Sequence, residues 1–466
     1  MGHYLLVDFG STFTKLTAVD LESEDIIATA KAITTVETNI IDGFNVAYMD
    51  LVQHLDPQLT FEKTIACSSA AGGLKMAAIG LVEELTTEAA RRVCLGAGEK
   101  VELVFSHHMT SAEVQSIIDH KIDIILLAGG ANGGNTECVI HNARMIADSK
   151  IMAPIIFAGN KDATDTVNDI LSRANKSYHL CENVMPKLNQ LNIESAKNKI
   201  KEIFVSNIIE AKGIKKAQER IDGVILPTPN AVLMASELLS KGFDEESGLG
   251  ELMLVDVGGA TTDVYSMADG LPKQMNAILS GLEEPFAKRT VEGDLGMRYS
   301  ATGIIEAMSQ AELSHFQKQG IDIVLEAKKR NHDIAFIPMT EGDFNIEHIL
   351  ASKCIDAAIS RHVGTVKGVY TPMGMMYHQT GKDLTETKVF IGTGGVLIND
   401  KNPIVMLKAG LYHTDKPLEL RPKRVTFMID HDYILSAMGL LSIDYPEIAL
   451  RILKKRIIPL GDYHAT

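Results

Sequence analysis

Cysteine is scarce in this 466-residue chain, and its placement excludes several architectures at once. The five residues (Cys67, Cys94, Cys138, Cys181 and Cys354) are widely spaced, odd in number and form no C-x-x-C pair. That pattern argues against a disulfide framework, a zinc site or an iron–sulfur cluster, and predicts reduced thiols in a cytoplasm. Long apolar runs are missing too. Nothing reaches the roughly 20 residues of a membrane-spanning helix. The N-terminus passes straight into Tyr4-Leu5-Leu6-Val7, without the basic region and apolar stretch of a secretory signal. Positive charge is in deficit, with 45 Lys and Arg against 60 Asp and Glu, a net charge of −15. Such a surface repels phosphate backbones, which argues against nucleic acid as a partner. His107-His108 and the other histidines lack ligand-like spacing with carboxylates. Low-complexity segments do not occur. What remains is ordinary globular composition, 45% hydrophobic and 23% charged, long enough for roughly two to four domains.

Against that background one phrase is repeated. Val7-Asp8-Phe9-Gly10-Ser11-Thr12-Phe13-Thr14-Lys15 returns in altered form as Val255-Asp256-Val257-Gly258-Gly259-Ala260-Thr261-Thr262-Asp263. Each copy runs from an apolar strand through Asp, Gly and hydroxyl residues into a second apolar strand. A hairpin turn that offers N–H groups and hydroxyls is a natural phosphate cradle. Taken alone, an Asp at a strand end usually caps its own turn. Taken as a pair, Asp8 and Asp256 predict a grip on a nucleotide–Mg²⁺ complex, because Mg²⁺ keeps several waters and needs only one or two carboxylates.

The remaining organisation follows from periodicity. Residues 4–8, 13–19, 26–33 and 63–67 read as strands, and 42–54 as a helix. From about 75 to 220, apolar runs at 101–105, 122–128, 155–158 and 178–181 alternate with helical patterns such as 111–120 and 135–147. That alternation predicts a parallel sheet with crossover helices. A Lys/Glu-rich helix is expected over 194–218 and another over 230–241. Strands are expected at 252–256, 264–267 and 274–278, a strand running into a glycine turn at 390–395, and helices at 283–291, 302–311, 344–363 and 432–441. The domain reading is 1–74 for the first part of domain I, 75–220 for an inserted α/β domain, 221–430 for domain II, and 431–466 for a helix returning to domain I.

These phrases resemble the actin, Hsp70 and sugar-kinase ATPase superfamily. The resemblance implies an α/β fold of duplicated actin-like, ribonuclease H-like domains carrying an inserted α/β domain, with ATP and Mg²⁺ in the cleft. It implies a first phosphate loop of Gly10, Ser11, Thr12, Thr14 and Lys15, and a second of Gly258, Gly259, Thr261 and Thr262. It further implies an adenosine loop of Gly392, Gly394 and Gly395, where absent side chains let the backbone approach the nucleoside. Asp8 and Asp256 would be both metal ligands and catalytic groups, one of them orienting the attacking water. Two longer phrases, Leu126–Asn135 and Thr290–Ser300, resemble a narrower family, the glutamate mutase accessory family called MutL. It shares only its name with the mismatch-repair protein. The family is encoded beside adenosylcobalamin-dependent mutase subunits, and resemblance to it implies a slowly hydrolysing, chaperone-like ATPase in the cytoplasm. Its partners would be subunits of a glutamate mutase-type enzyme whose damaged cobalamin it helps release. Two other readings stay open: a small-molecule kinase, with Asp294 as a possible base, and an actin-like scaffold. Asp263 is also open to a purely structural role, and Asp294 to helix capping.

Overall fold

The computed structural model describes residues 2–10, 13–35, 40–69, 74–97, 100–211, 221–222, 225–372 and 374–465. They fall into two compact units, Met1–Val232 with Gly439–Ile443, and Leu233–Met438 with Asp444–Thr466.

In the first unit, β1 (His3–Phe9), β2 (Phe13–Asp20) and β3 (Asp25–Ile33) form an antiparallel meander. Helix α1 (Ile40–Gln53) follows, and β4 (Phe61–Ser68) returns parallel to β1. Leu5, Leu6, Val7 and Phe9 are at most 1% exposed, as expected of a nearly continuous apolar run covered on both faces. The chain then builds a separate sheet from β5 (Lys75–Gly80), β6 (Lys100–Ser106), β7 (Ile124–Leu127), β8 (Ile155–Phe157) and β9 (Tyr178–Leu180). All of its pairings are parallel, in the order β6-β5-β7-β8-β9. Its connections are α2 (Glu88–Gly96), α3 (Ser111–Asp119), α4 (Glu137–Ala147) and α5 (Thr164–Arg173). Val114, Ile117, Val139, Ala143, Val167 and Leu171 bring α3, α4 and α5 into one core with β5 and β7. This is the inserted α/β fold, and its strand order is that of an open doubly wound sheet. After α6 (Glu194–Ala211), β10 (Ile225–Pro227) pairs with β4 and completes the first sheet as β10-β4-β1-β2-β3. Pro227 is tolerated because β10 is an edge strand.

Helix α7 (Thr228–Lys241) starts in the first unit and ends in the second, with the division after Val232. The division expected at 220/221 therefore falls later, because β10 is consumed by the first sheet. A short pair, β11 (Gly242–Phe243) and β12 (Glu246–Ser247), leads to β13 (Leu252–Val257), β14 (Thr262–Met267), β15 (Ala277–Leu279) and β16 (Ala287–Glu292). Next come α8 (Ala301–Glu306), α9 (Gln310–Lys318), α10 (Ile323–His332) and α11 (Glu341–His362). The hairpin β17 (Thr365–Thr371) and β18 (Gly374–Thr380) joins β15 in a small sheet. The chain continues with β19 (Val389–Thr393), α12 (Gly395–Ile398), α13 (Ile404–Leu407), β20 (Arg424–Ile429), α14 (Leu435–Leu441), α15 (Pro446–Arg456) and β21 (Ile458–His464).

The main sheet of the second unit runs β16-β14-β13-β19-β20-β21. Counted from β1 and from β13, both main sheets read third-second-first-fourth-fifth. In both, the first three strands are antiparallel and the fourth and fifth parallel to the first. One ribonuclease H-like topology therefore occurs twice, the duplicated actin-like fold. In the second unit Ile346, Leu350, Cys354, Ile355, Ala358 and Ile359 recur at helical spacing along α11 and seal the core. Thr340 and Asp343 close a reciprocal capping box at that helix's start.

Three local expectations change. Residues 283–291, expected as a helix, contain β16, because the edge of β14 offers a ladder and Arg289 and Thr290 find buried partners there. The helix expected over 302–311 is divided into α8 and α9, because Ser309 caps a new start with Glu312. Of the returning C-terminal segment, only Gly439–Ile443 joins the first unit; β21 pairs with β20 in the second.

Candidate functional site

Asp8 is the penultimate residue of β1, facing Lys15 across the β2 ladder and Cys67 across β4. It is only 5% exposed. Its Oδ1 accepts a hydrogen bond from the Thr228 hydroxyl at 2.7 Å and the Cys67 thiol lies 3.5 Å away. Burial, then the neighbouring Asp8 charge, push the Cys67 thiol well up, so it is a weak neutral donor and not a nucleophile. The turn beyond Asp8 is closed by the Gly10 N–H donating to the Phe13 carbonyl at 3.1 Å. A Cβ on Gly10 would stand 2.6 Å from that oxygen, so the turn requires glycine. Thr14 is fully buried and its hydroxyl meets that of Thr34 at 3.1 Å, which fixes β2 to the segment after β3. Lys15, directly opposite Asp8, shares its face of the sheet. Ser11 and Thr12 lie outside the described residues.

The second hairpin repeats these features position by position. Asp256 is the penultimate residue of β13, and Gly258 donates to the Thr261 carbonyl at 2.9 Å, an oxygen that a Cβ on Gly258 would meet at 2.9 Å. Thr262 matches Thr14: it is fully buried, with its hydroxyl given to the Leu295 carbonyl at 2.8 Å. Opposite Asp256 stands Asp263, which takes Arg289 at 2.7 Å and the Thr261 hydroxyl at 3.0 Å. Asp263 is therefore an anchor within the hairpin. Gly259 leaves the turn open, its nearest neighbour being the Arg298 side chain at 3.8 Å from a built Cβ.

The Thr290–Ser300 phrase packs against this second turn. Met297 N–H donates to the Gly258 carbonyl at 3.0 Å, Arg298 N–H to Gly259 at 2.8 Å, and the Ser300 hydroxyl to Ala260 at 2.7 Å. Gly296 comes so close that a Cβ would lie 2.4 Å from the Ala260 carbonyl carbon. Arg298 in turn is held by Glu347 at 3.1 Å, and Glu347 by the fully buried Arg330 at 2.7 Å. Asp294 caps no helix, since α8 starts after Ser300. Its two oxygens take the Arg361 guanidinium at 2.7 and 2.8 Å, and that pairing holds its carboxyl below the usual range.

The glycines at the end of β19 and just beyond it serve different ends. Gly394, at φ 103°, packs so tightly that a Cβ would lie 2.4 Å from the Val257 carbonyl, one residue beyond Asp256. Gly392 is enclosed by Leu397 and Leu407, whereas Gly395 is exposed with nothing near a built Cβ. Two further residues complete the group. Asp430, 1% exposed, donates its N–H to the Gly392 carbonyl and accepts the Thr393 hydroxyl at 3.4 Å. Its carboxylate also accepts the N–H groups of Ile434 and Leu435 at 2.9 and 3.3 Å. Tyr433 donates its hydroxyl to Asp256 at 3.3 Å. Their sequence signal was an Asp just beyond an apolar strand and just before a helix start, visible only once β20 is recognised.

Within each unit, then, a tight turn follows a carboxylate held by a hydroxyl. Hard oxygen donors of this kind suit Mg²⁺, which takes one or two carboxylates and keeps its waters. Among the described residues no cluster of three or more His, Cys, Asp or Glu side chains forms an all-protein metal cage. No helix among them is long and apolar enough to cross a membrane.

Comparison with solved structures finds acetone carboxylase in its nucleotide-free form at 14% identity and a TM-score of 0.41, covering 94% of this chain and 70% of that one. Gluconate kinase from Lactobacillus acidophilus is 10% identical, with a TM-score of 0.38 and coverage of 100% and 94%. Glycerol dehydratase reactivase is 8% identical, with a TM-score of 0.35 and coverage of 95% and 99%. The sequence comparison is far closer: Protein MutL of Clostridium tetanomorphum is 52% identical over 460 residues, 98% of this chain and 100% of the relative. The family model described as MutL protein matches residues 4–457. The chain belongs to the MutL protein family.

Proposed function

We propose that this protein is an ATP-binding, slowly hydrolysing factor that reactivates an adenosylcobalamin-dependent mutase of the glutamate mutase type. The observation that carries the nucleotide half is the equivalence of the two hairpins. Asp8 and Asp256, Gly10 and Gly258, and Thr14 and Thr262 occupy matching positions on matching strands. In this reading Asp8 and Asp256 hold Mg²⁺ through its waters, and the turns at Gly10, Ser11 and Thr12 and at Gly258, Gly259 and Thr261 receive phosphate oxygens. Bound Mg²⁺ supplies charge neutralisation and phosphate orientation. Lys15 adds positive charge beside Asp8, and Gly392, Gly394 and Gly395 admit the nucleoside. Thr14 and Thr262 contribute by holding the hairpins in shape. One of the two aspartates orients the attacking water, and hydrolysis is coupled to two states with different affinity for the mutase.

The mutase half rests on the family resemblance. The ATP form docks on the cobalamin-binding subunit, loosens it and lets damaged cofactor leave. Asp294, the candidate base of the kinase reading, is paired with Arg361 through both oxygens, which makes it a weaker base. The test is a reconstitution. Turnover of an inactivated mutase returns when the purified protein, hydrolysable ATP, Mg²⁺ and fresh cobalamin are all present, and fails when any one is left out. No recovery in the complete mixture contradicts the proposal.

A further inference from the structure

The bonds made by Asp8 and Asp256 share a feature beyond their chemistry. Thr228, the donor to Asp8, is the first residue of α7, which follows the fifth strand of the first sheet. Tyr433, the donor to Asp256, stands two residues before α14, which follows the fifth strand of the second sheet. Both helices cross the division of the chain. Helix α7 enters the second unit at Leu233, and α14 enters the first at Gly439. In each unit, therefore, the first-strand carboxylate is tied by a side-chain hydroxyl to the start of a helix that both units share.

The Tyr433 tie is conformationally demanding. Tyr433 has φ 59°, a backbone region that bulky residues avoid unless their surroundings impose it. Asp430 imposes it: its carbonyl takes the Tyr433 N–H at 3.3 Å while its carboxylate caps Ile434 and Leu435. The same Asp430 is bonded to Gly392 and Thr393, so strand β19 and the start of α14 meet at one buried group, and Tyr433 carries the link on to Asp256.

We propose that Thr228 and Tyr433 are a matched pair of hydroxyl latches, positioning residues through which occupancy of Asp8 and Asp256 is relayed to helices α7 and α14. The carboxylate oxygen that accepts each hydroxyl's hydrogen bond is also the group that would face the water shell of Mg²⁺ when a nucleotide is bound. The hydroxyl bond then loosens and the helix start is released. Release of both latches favours the second conformational state; reformation after phosphate and Mg²⁺ leave restores the first. The inference rests on the nucleotide reading and adds its route of coupling.

Amide hydrogen exchange of the full chain, with and without Mg·ATP, tests it, with ATP affinity measured in parallel. In the natural protein, Mg·ATP is expected to change exchange in Thr228–Lys241 and in Leu435–Leu441 by about fivefold or more. Tyr433→Phe is expected to abolish the response in α14 while keeping the response in α7, with Mg·ATP binding still measurable. Thr228→Val is expected to do the reverse, and Thr228→Ser to restore the natural response. If either hydroxyl-less variant responds as the natural protein does, the latches are overturned. If the natural protein binds Mg·ATP but neither helix responds, the latches fall and the nucleotide reading stands. If it binds no Mg·ATP, both fall.

Discussion

Asp8 and Thr228, 220 residues apart in the chain, are joined by a hydrogen bond of 2.7 Å inside the first unit. The pair links strand β1, which the repeated phrase marks, to a helix start that nothing in that phrase reveals. Removing the Thr228 hydroxyl leaves a 5%-exposed carboxylate with one donor fewer, a loss of roughly 1–3 kcal/mol. Thr228→Val is expected to lower the unfolding midpoint, measurable by chemical denaturation, whereas Thr228→Ser stays near the natural value.

Glycine is obligatory where the hairpins close. Gly10→Ala and Gly258→Ala place a Cβ 2.6 and 2.9 Å from a carbonyl oxygen that must stay where it is. Gly394→Ala adds a clash at 2.4 Å to a backbone at φ 103°. Each is expected to cost about 1–3 kcal/mol and to weaken Mg·ATP binding at least tenfold. Gly395→Ala, with open space around its Cβ, should leave stability unchanged and weaken Mg·ATP binding alone, by crowding the nucleoside. Thermal unfolding and titration calorimetry on the four variants check the contrast.

The buried ion-pair network behind the second turn makes a different demand. Arg330→Met leaves Glu347, 3% exposed, with Arg298 as its remaining guanidinium partner among those described. Stripping one partner from a buried pair costs about 3–5 kcal/mol, while replacing both by apolar groups of like volume is far milder. Arg330→Met is therefore expected to destabilise strongly, and Arg330→Met with Glu347→Leu to recover much of the loss. Equal destabilisation of the single and double variants, measured by urea unfolding, would contradict this.

Acid and base act on the second unit through two buried bases. Lys382 is fully buried, donating to the Phe286 carbonyl at 2.6 Å and the Ser266 carbonyl at 3.2 Å. Burial, followed by the Lys288 charge, draws its pKa from 10.5 to about 7. His362, bonded to Thr290 and Ser266 at 2.8 Å each, is pushed well below its ordinary value, again first by burial. Between about pH 7 and 10 the unfolded chain therefore binds more protons than the folded one at Lys382, so stability rises with pH across that window. Below about pH 6.5 His362 acts in the same sense, and acid destabilises. The Lys382 contribution is at most about 5 kcal/mol, at roughly 1.4 kcal/mol per pKa unit. Denaturant midpoints from pH 6 to 9.5 should climb in the natural protein and flatten in Lys382→Met.

The two hairpins were legible because strand–turn chemistry is local: an apolar run, an Asp and a Gly announce β1 with β2, and β13 with β14, without outside help. The third-second-first-fourth-fifth order was not legible, since pairing is a tertiary property; family likeness implied only a duplicated fold. Strand β16 misled for the same reason. Glu283, Glu284, Ala287 and Lys288 favour a helix, and the open edge of β14 overrides that preference. Strand β5, with two alanines in its middle and no long apolar run, did not stand out, and it is held by β6 and β7 on either side. Tyr433 and Asp430 were hidden because their meaning lies in what they touch: Asp256 is 177 residues from Tyr433, and Thr393 is 37 from Asp430.

Titration calorimetry of Mg·ATP into the natural protein, Asp8→Asn and Asp256→Asn, with circular dichroism to confirm folding, addresses the central claim most directly. The account predicts magnesium-dependent binding of ATP to the natural chain. It further predicts that each Asn variant loses at least about tenfold of that affinity, roughly 1.4 kcal/mol. Folded Asn variants that bind Mg·ATP as tightly as the natural protein, or a natural protein that binds none, would contradict it.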